Sequence, residues 1–253
     1  MIRADAPFVV FDEIDSTNEE ARRRAAAGDA EPVWLLAKRQ TAGRGRMGRA
    51  WLTLPGNMFL TYYGLSARPA SDIALLGFAA GVALAETCAP LISGRASLKW
   101  PNDLLIDGRK AAGILLESGQ FAHGAGGRLW FAVGVGLNIA RAPQDVGQET
   151  AALNEFSTDA LPTPIAIAQT FAARLAAWSA RLENEGFTNL RTAWEASAHG
   201  LGEIVRVQIA GEDVSGRASG LSPRGELILA LQTGETRLIS AGDVYFPAAA
   251  PAP

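Results

Sequence analysis

The segment from Gly43 to Trp51 reads Gly-Arg-Gly-Arg-Met-Gly-Arg-Ala-Trp and carries three arginines on a glycine-rich backbone. Guanidinium groups donate several hydrogen bonds each and match the oxygens of phosphates and carboxylates. Glycines allow such a loop to move, and a loop that closes over a polyanion excludes water from a reactive intermediate. The segment therefore predicts a mobile anion-binding loop, with an exposed basic loop that binds nothing as the alternative.

The glycine spacing of this segment also satisfies the G-x-G-x-x-G pattern of dinucleotide-binding turns. That pattern needs a helix directly after the glycines to hold the pyrophosphate, whereas the residues from Arg49 to Gly56 lead toward a strand. A P-loop is excluded as well, because Arg49 and Ala50 stand where it carries Lys and Ser or Thr. The loop belongs to neither of these nucleotide-binding turns.

A run of small polar side chains, Ser16-Thr17-Asn18, precedes a segment with the composition of a helix. Hydroxyls, an amide and the free N–H groups of a helix start suit an uncharged polar ligand group. Ser16 and Glu19 also have the S-x-x-E spacing of a capping box, in which each residue satisfies a backbone donor of the other. We expect the capping box, and a ligand contact is compatible with it.

Two further clusters place cations and polar groups at strand ends. Lys99-Trp100-Pro101-Asn102-Asp103 follows a predicted strand, and Lys110 precedes the apolar strand Ile114 to Glu117. A lysine there can neutralise a carboxylate or phosphate, although an Asx turn and a surface cation explain the same residues. Asn138 ends another apolar strand, where its amide suits an adenine edge or a phosphate.

Composition argues against several classes of site. The formal net charge is -3 and the isoelectric point is about 5.5, so no broad nucleic-acid or anionic-membrane surface is expected. Cys88 is the only cysteine, which excludes an internal disulfide and a multi-cysteine metal site. His123 and His199 lie in glycine-rich or interdomain sequence and no G-x-S-x-G occurs, so neither a histidine zinc site nor serine-hydrolase chemistry is expected.

The sequence also predicts where the protein resides. The start of the chain carries acidic residues where a secretory signal has a basic segment and a long apolar one. The longest apolar segment, Ile73 to Ala85, lies between Asp72 and Glu86 and is shorter than the roughly 20 residues that a bilayer requires. A soluble cytoplasmic protein is therefore expected.

Strands and helices that position these residues are predicted along the first four fifths of the chain. Apolar, β-branched segments between turn signals predict strands at 8–14, 33–38, 58–65, 97–100, 104–106, 112–117 and 129–139. Ala-rich segments with cap signals predict helices at 19–28, 71–88, 165–183 and 188–198. The D-G and G-A-G-G turns between the later strands predict hairpins, so the sheet should be largely antiparallel.

From residue 202 to residue 246 alternating strands recur with turns at AGED, SPRG and QTGE, a pattern typical of a small β-barrel. A boundary is expected near His199, giving a larger domain at 1–198 and a smaller one at 199–247. The Pro- and Ala-rich residues 248–253 predict a disordered tail. The predicted fold class is α+β, with a mixed, largely antiparallel sheet flanked by helices and a small C-terminal β-barrel.

Five motifs in one order resemble the catalytic domain of biotin–protein ligases. They are STN at 16–18, QTAGRGRMGRAW at 40–51, KWPNDLLI at 99–106, GRKAAGILLE at 108–117 and GVGLNI at 134–139. The similarity spans roughly residues 8 to 140, and the segment 202–246 is similar to the family's small C-terminal domain. The resemblance implies a class II synthetase-like catalytic domain followed by an SH3-like barrel.

The resemblance also implies a two-step reaction. The biotin carboxylate attacks the α-phosphate of ATP to give biotinyl-adenylate, and a lysine of a biotin carboxyl carrier protein domain then attacks that mixed anhydride. Arg46 and Lys110 match the family's catalytic positions, where cations offset the charge of an anion that approaches a polyanion. Magnesium (Mg2+) is expected at the phosphates, with no protein ligand assigned to it.

The same match assigns binding residues. Biotin is expected to contact Ser16, Thr17, Asn18, Gln40, Gly43, Arg44, Gly45, Arg46 and Lys110, above an apolar floor from the GILLE strand. ATP or the adenylate is expected to contact Arg46, Arg49, Trp51, Asn102, Asp103 and Asn138. Met47 and Ala50 stand where many relatives carry basic residues, which predicts a weaker affinity for phosphate.

The expected partner is the carrier domain of a biotin-dependent carboxylase, and the protein is expected to be a monomer or a homodimer that binds neither nucleic acid nor membrane. The catalytic pattern begins within about fifteen residues of Met1, so no DNA-binding helix-turn-helix is expected. Two alternatives stay open. One is a lipoate– or other acyl-adenylating protein ligase of the same fold. The other is a non-catalytic nucleotide- or RNA-binding module that uses the segment from Gly43 to Trp51, called the Gly/Arg loop below.

Overall fold

The structure, a computed structural model, describes residues 2–123, 127–144, 146–209 and 212–246. Its helices are α1 (Thr17–Ala26), α2 (Ala70–Ala74), α3 (Leu76–Cys88), α4 (Pro164–Glu185) and α5 (Phe187–Ala196). Its strands are β1 (Phe8–Phe11), β2 (Val33–Ala37), β3 (Met58–Ser66), β4 (Ala96–Lys99), β5 (Asp103–Ile106), β6 (Arg109–Gln120), β7 (Leu129–Leu137), β8 (Ile204–Ile209), β9 (Glu212–Leu221), β10 (Leu227–Ala230), β11 (Thr236–Ile239) and β12 (Asp243–Tyr245). The expected disordered tail at 248–253 lies outside the described residues.

The larger sheet has seven strands in the order β1-β2-β3-β7-β6-β5-β4. β1 and β2 are parallel, because α1 carries the chain back to the same edge between them, and every other pair in this sheet is antiparallel. The prediction of a mixed, largely antiparallel sheet flanked by helices is therefore confirmed.

Helices cover both faces of this sheet. α3 and α4 pack on one face and α1 packs on the other. In β2, Trp34 and Leu36 face the larger cluster while Val33 and Leu35 face α1, as the alternation of a strand requires. Every residue of β2 is buried, which explains why its sequence is apolar throughout.

The helical run Ala70–Leu91 is longer than the apolar segment that the sequence indicated. It has 22 residues, and the mean hydropathy of its most apolar 18-residue window is 1.6, so by length and composition only it could cross a membrane, the one such run in the described part of the chain. Within its most apolar window 61% is buried inside the protein. That share is typical of the core helix that α3 is, packed against α4, α5 and the sheet.

The start of α1 corrects one expectation. Ser16 occupies the cap position with an extended backbone, but its side chain caps no backbone N–H, so the predicted capping box is wrong. Glu19 instead lies 2.9 Å from Arg44 and 3.8 Å from Arg22. The carboxylate that would have closed the box is an ion-pair partner of the Gly/Arg loop.

The smaller sheet contains five antiparallel strands in the order β11-β10-β9-β8-β12. It agrees with the predicted barrel-like domain, and alternate residues of β8 and β9 are buried. The chain between α5 and β8 pairs with the end of the larger sheet, because Leu98 N donates to Ser197 O (2.7 Å) and His199 N donates to Leu98 O (2.8 Å). A further hydrogen bond, from Trp100 Nε1 to Gly225 O at 3.1 Å, connects the larger sheet to the smaller one. The boundary near His199 stays a prediction.

Candidate active site

One cavity of about 460 Å³ collects almost all of the residues that the sequence singled out. Its walls come from the start of α1, the Gly/Arg loop, β6, β7, the loop after β7 and β12. The predicted site residues among them are Ser16, Thr17, Asn18, Gln40, Arg44, Gly45, Arg46, Arg49, Trp51, Asn102, Asp103, Lys110 and Asn138. A cavity of this size falls in the range of ligand sites.

Gly43 is the exception, because it lies beside the cavity and not in its wall. A Cβ at this position would stand 2.7 Å from Trp51 O and 3.0 Å from Gln40 Nε2. Gly43 O accepts a hydrogen bond from Trp51 N at 2.9 Å. The glycine thus closes the base of the loop, where no side chain would fit.

The first part of the cavity, the uncharged end, is a hydrogen-bond network around Thr17. Gln40 Oε1 accepts from both Thr17 N (2.8 Å) and Thr17 Oγ1 (3.1 Å). Thr61 Oγ1, fully buried on β3, lies 2.7 Å from both Thr17 Oγ1 and Asn18 Oδ1. Thr61 was not predicted as a site residue, since a single threonine within an apolar strand carries no signal.

Asn18 extends this network onto the floor of the cavity. Its Nδ2 donates to Glu117 Oε2 at 2.8 Å and to Leu115 O at 3.3 Å. A Cβ on Gly134 would stand 2.1 Å from Asn18 Oδ1, so only glycine leaves room for this amide. The GILLE motif ends at Glu117, for which the sequence indicates no role, and in the structure this carboxylate fixes the orientation of Asn18.

Arg44 is held by two carboxylates. Its Nη2 lies 2.9 Å from Glu19 Oε2 and 3.4 Å from Glu117 Oε2. The guanidinium charge is therefore compensated inside the protein. Arg44 Nε is buried and has no hydrogen-bond partner in the protein, which makes it a donor available to a ligand.

The second part of the cavity, the cationic end, contains Arg46 and Lys99. Burial lowers the pKa of both side chains from their usual values. Arg46 Nη1 donates to the neutral Asn102 Oδ1 at 3.1 Å, and Lys99 Nζ lies 5.7 Å from the centre of the Phe246 ring. Neither cation forms an ion pair within the described residues, whereas Arg44, Arg49 and Lys110 each do. The sequence places Lys99 in a cluster of polar residues but does not predict it as a site residue, whereas the structure places it in the cavity wall.

Lys110 and Asp103 form a shielded ion pair between β6 and β5. Lys110 Nζ lies 2.8 Å from Asp103 Oδ1, and the two side chains are only 18% and 13% exposed. At this distance the Lys110 ammonium compensates the charge of the Asp103 carboxylate. Lys110 Nζ also lies 5.7 Å from the centre of the Trp51 ring, which places the ammonium between the two predicted nucleotide contacts.

Two glycines make room for the Trp51 indole on the sheet. A Cβ on Gly136 would stand 2.4 Å from Trp51 Cε2, and a Cβ on Gly113 would stand 2.9 Å from Trp51 Cζ3. The ring therefore lies flat against β6 and β7, where it can offer a stacking surface. Trp51 Nε1 is buried with no partner in the protein, so a donor is also available there.

Asn138 organises the loop after β7 and is itself positioned by Asn57. Asn138 Nδ2 donates to Ala151 O (3.2 Å), and its Oδ1 accepts from Asn57 Nδ2 (3.3 Å). Asn57 Oδ1 accepts the backbone N–H groups of residues 139, 140 and 141 at 3.0, 3.0 and 3.2 Å. Asn57 was missed, although an Asn directly after Pro55-Gly56 is a known signal for side-chain hydrogen bonds to backbone.

Arg49 connects the Gly/Arg loop to the smaller sheet. Its Nη2 lies 3.0 Å from Asp243 Oδ1 at the start of β12, and its Nε donates to Arg46 O at 3.3 Å. Asp243 and Tyr245 line the same cavity. The sequence did not predict that the C-terminal strands contribute to the site, because no motif marks them.

A metal site built only by the protein does not occur in the described residues, where no group of three His, Cys, Asp or Glu side chains converges. Mg2+ commonly binds through one or two carboxylates together with substrate phosphates. Asp103, whose Oδ1 contacts Lys110 Nζ at 2.8 Å, is a carboxylate of this kind in the cavity wall. The donor set therefore fits an ion that enters with a nucleotide.

Comparison with known proteins agrees with this geometry. Residues 10–138 match the Biotin/lipoate A/B protein ligase family, and residues 200–246 match the biotin protein ligase C terminal domain. The chain is 37% identical to a biotin–[acetyl-CoA-carboxylase] ligase of Paracoccus denitrificans, over 92% of this chain and 97% of that protein. It is 36% identical to a ligase of the same name from Mycobacterium tuberculosis, over 90% and 85%.

A solved structure gives the same result at the level of the fold. The biotin protein ligase of Aquifex aeolicus, in complex with biotin and ATP, has a TM-score of 0.76 and 25% identity, covering 94% of this chain and 97% of that one. The chain therefore belongs to the biotin–protein ligases of the biotin/lipoate A/B protein ligase family.

Proposed function

We propose that the protein activates biotin with ATP and transfers it to a lysine of the biotin carboxyl carrier domain of a carboxylase. The observation that carries the proposal is a single cavity with an uncharged hydrogen-bonding end and a cationic end. An acid with a polar, uncharged head group fits the first end, and the phosphates of ATP fit the second. The names of the relatives, biotin–[acetyl-CoA-carboxylase] ligases, support the same substrate and acceptor.

Biotin binding falls to the uncharged end. The ureido ring of biotin offers N–H donors and a carbonyl acceptor. Thr17 and Gln40 orient each other, and Thr61 orients Asn18, before any ligand binds. Arg44 Nε adds an unpartnered donor. Ile114 and Leu115 of β6 supply apolar wall for the hydrocarbon part. Because the network is formed before the ligand arrives, little ordering cost remains on binding.

In the first chemical step a carboxylate oxygen of biotin attacks the α-phosphorus of ATP. A bond forms between that oxygen and phosphorus, the bond from phosphorus to the bridging oxygen breaks, and pyrophosphate leaves with the electron pair. Arg46 and Lys110 neutralise the charge that develops between the two anions, and Lys99 adds a third cation. Asp103 would hold a Mg2+ ion that accompanies ATP, and such an ion supplies further charge neutralisation at the phosphates.

In the second step the neutral amine of the acceptor lysine attacks the carbonyl carbon of the mixed anhydride. The new bond is an amide, the lysine nitrogen loses a proton, and AMP leaves with the electrons of the former carbon–oxygen bond. Trp51 and the loop that Asn57 and Asn138 organise face the adenosine part. The Gly/Arg loop covers the adenylate and keeps water from hydrolysing it.

The remaining expectations belong to the same proposal. We propose a catalytic domain at 1–198 and a smaller domain at 199–247, with the second contributing Asp243 and Tyr245 to the cavity wall. A cytoplasmic location is supported by the burial of the apolar helical run and by the acidic isoelectric point. Neither a nucleic acid nor a membrane is a proposed partner, and a monomer or homodimer is proposed.

Biotin-dependent exchange of labelled pyrophosphate into ATP tests the proposal, because it follows the first step alone. We expect exchange with biotin, ATP and Mg2+, and none when lipoate replaces biotin. Exchange with lipoate only would reassign the substrate to the other branch of the family. Salt-dependent RNA binding without any pyrophosphate exchange would reject the enzymatic function and favour a nucleic-acid-binding module.

A further inference from the structure

Exposed apolar side chains are concentrated around the mouth of the cavity. The large apolar residues that are exposed in the described part of the chain are Val10, Met47, Leu52, Val146, Ile204, Leu238 and Tyr245. Leu52, Val146 and Tyr245 line the cavity, and Met47 lies in the Gly/Arg loop between two lining arginines. More than half of the set therefore surrounds one opening, and exposed apolar groups that cluster in this way mark interaction sites.

Met47 combines an exposed apolar side chain with an unfavourable backbone conformation. Its side chain is 79% exposed, the largest exposure among these apolar residues. Its backbone has φ 55°, in the left-handed region that a residue with a long side chain rarely adopts. A strained backbone that presents an apolar side chain to solvent indicates a function for that side chain.

The loop and β12 form one continuous rim. The ion pair between Arg49 and Asp243, at 3.0 Å, joins them. Tyr245 stands two residues after Asp243, so both side chains point to the same face of β12, while Val244 between them is buried. Met47, Leu52 and Tyr245 are thus the apolar members of a rim that spans both sheets.

We propose that this rim is the docking surface for the acceptor domain, with Met47, Leu52 and Tyr245 as its apolar contacts. The inference rests on the proposed function, because the acceptor's lysine must reach an adenylate inside the cavity and the mouth is its entrance. The complementary partner is a folded domain that presents the lysine on a projecting turn with apolar neighbours. A few separated apolar residues suit a complex that dissociates after each turnover better than a permanent one.

A second copy of this chain would be the other occupant of an apolar rim. A copy bound there would cover the mouth and exclude the acceptor from the adenylate. An acceptor domain, in contrast, must occupy this position transiently in every cycle. The acceptor is therefore the occupant that the position of the rim favours.

The test uses Met47→Asn, Leu52→Ser and Tyr245→Ser in the full-length protein. Asparagine tolerates the left-handed backbone better than most residues, so Met47→Asn removes the apolar side chain and keeps the loop conformation. Matched controls are Val10→Ser on β1 and Leu238→Ser on β11, which are 51% and 52% exposed and do not line the cavity. β11 lies at the opposite edge of the smaller sheet from β12.

We expect each rim variant to raise the KM for the carrier domain of an acetyl-CoA carboxylase roughly 5- to 10-fold, as loss of an interface contact does. Biotin-dependent pyrophosphate exchange is measured for every variant, because Leu52 and Tyr245 also line the cavity. The rise in acceptor KM should exceed any loss of exchange, and both controls should behave as wild type; a loss of exchange as large as the rise in acceptor KM would contradict docking. Unchanged acceptor KM in all three variants would overturn the proposal, as would equal changes in the controls. A shift in sedimentation of the rim variants without a change in acceptor KM would assign the rim to a second copy. Absence of exchange in the wild type would instead reject the proposed function.

Discussion

The uncharged end and the cationic end of the cavity differ in how their side chains are paired within the protein. At the uncharged end, Thr17, Asn18, Gln40 and Thr61 are connected by contacts of 2.7 to 3.1 Å. At the cationic end, burial lowers the pKa of Arg46 and of Lys99, and neither has a carboxylate partner within the described residues. The side chains of the first end pair mainly with one another, whereas two cations of the second end have no carboxylate partner within the described residues.

This difference follows from the kind of group that each end would bind. An uncharged head group gives little Coulomb energy, so its site must gain affinity from fixed hydrogen-bond geometry. A polyanion supplies strong attraction by itself, and cations kept without partners are available to it. The comparison predicts that changes at the first end alter biotin binding, whereas changes at the second alter the chemical step and ATP binding.

Replacement of Lys110 by alanine should have the largest effect. The variant loses a cation at the reacting phosphate and leaves Asp103 unpaired, so we expect biotin-dependent pyrophosphate exchange to fall roughly 100- to 1000-fold. Circular dichroism and thermal unfolding of the same preparation establish that the variant is folded. A rate within twofold of wild type would remove Lys110 from the catalytic residues.

The paired variants Gly134→Ala and Gly136→Ala separate the two ends directly. Both glycines lie on the same face of β7, and the added methyl would meet Asn18 Oδ1 at 2.1 Å in one case and Trp51 Cε2 at 2.4 Å in the other. Gly134→Ala should raise the KM for biotin by roughly 10- to 100-fold, and Gly136→Ala should raise the KM for ATP similarly. Each variant serves as the control for the other. Equal effects on both substrates would show that the ends are not separable.

Thr61→Val tests the uncharged end without changing its shape. The substitution removes the buried hydroxyl that lies 2.7 Å from Asn18 Oδ1 and from Thr17 Oγ1, at a cost of about 1–2 kcal/mol, or roughly a 5- to 30-fold higher KM for biotin. The KM for ATP should not change. A variant with wild-type biotin kinetics would mean that the Thr61 hydroxyl is dispensable for the pocket.

Asp243→Asn should have the smallest effect, because the Arg49–Asp243 pair is partly exposed and such pairs contribute little. We expect a roughly two- to fivefold increase in biotin found on bystander proteins, since the loop would cover the adenylate less well. Asp213→Asn is the matched control, because it breaks another ion pair of the smaller sheet, with Arg206 at 2.8 Å. The idea fails if the two variants release the same amount of adenylate.

The sequence predicts the architecture and most of the cavity wall. Helix and strand segments were visible from periodicity and turn signals, because these elements bury continuous or alternating apolar faces. Residues of the site were found where several chemical groups stand together, as in Ser16-Thr17-Asn18 and Lys99 to Asp103. Such segments predict a site from the local sequence alone, because several functional side chains are adjacent in the chain.

Residues that act through tertiary contacts were not predicted. Thr61, Glu117 and Asn57 each stand alone in the sequence, and their roles depend on neighbours more than 40 residues away. The capping box failed for the same reason, because Glu19 pairs with Arg44 of the loop instead of the helix backbone. A local pattern cannot show which distant group will compete for a side chain.

Intact mass spectrometry of a carrier domain tests the central claim most directly. The protein is incubated with ATP, Mg2+, biotin and the carrier domain of an acetyl-CoA carboxylase, and the mass of the carrier is recorded. We predict one added biotin at a single lysine, dependent on ATP and absent when that lysine is replaced by arginine. An unmodified carrier in the presence of active adenylate formation, or a carrier that is modified only when lipoate replaces biotin in the same reaction, would contradict the account.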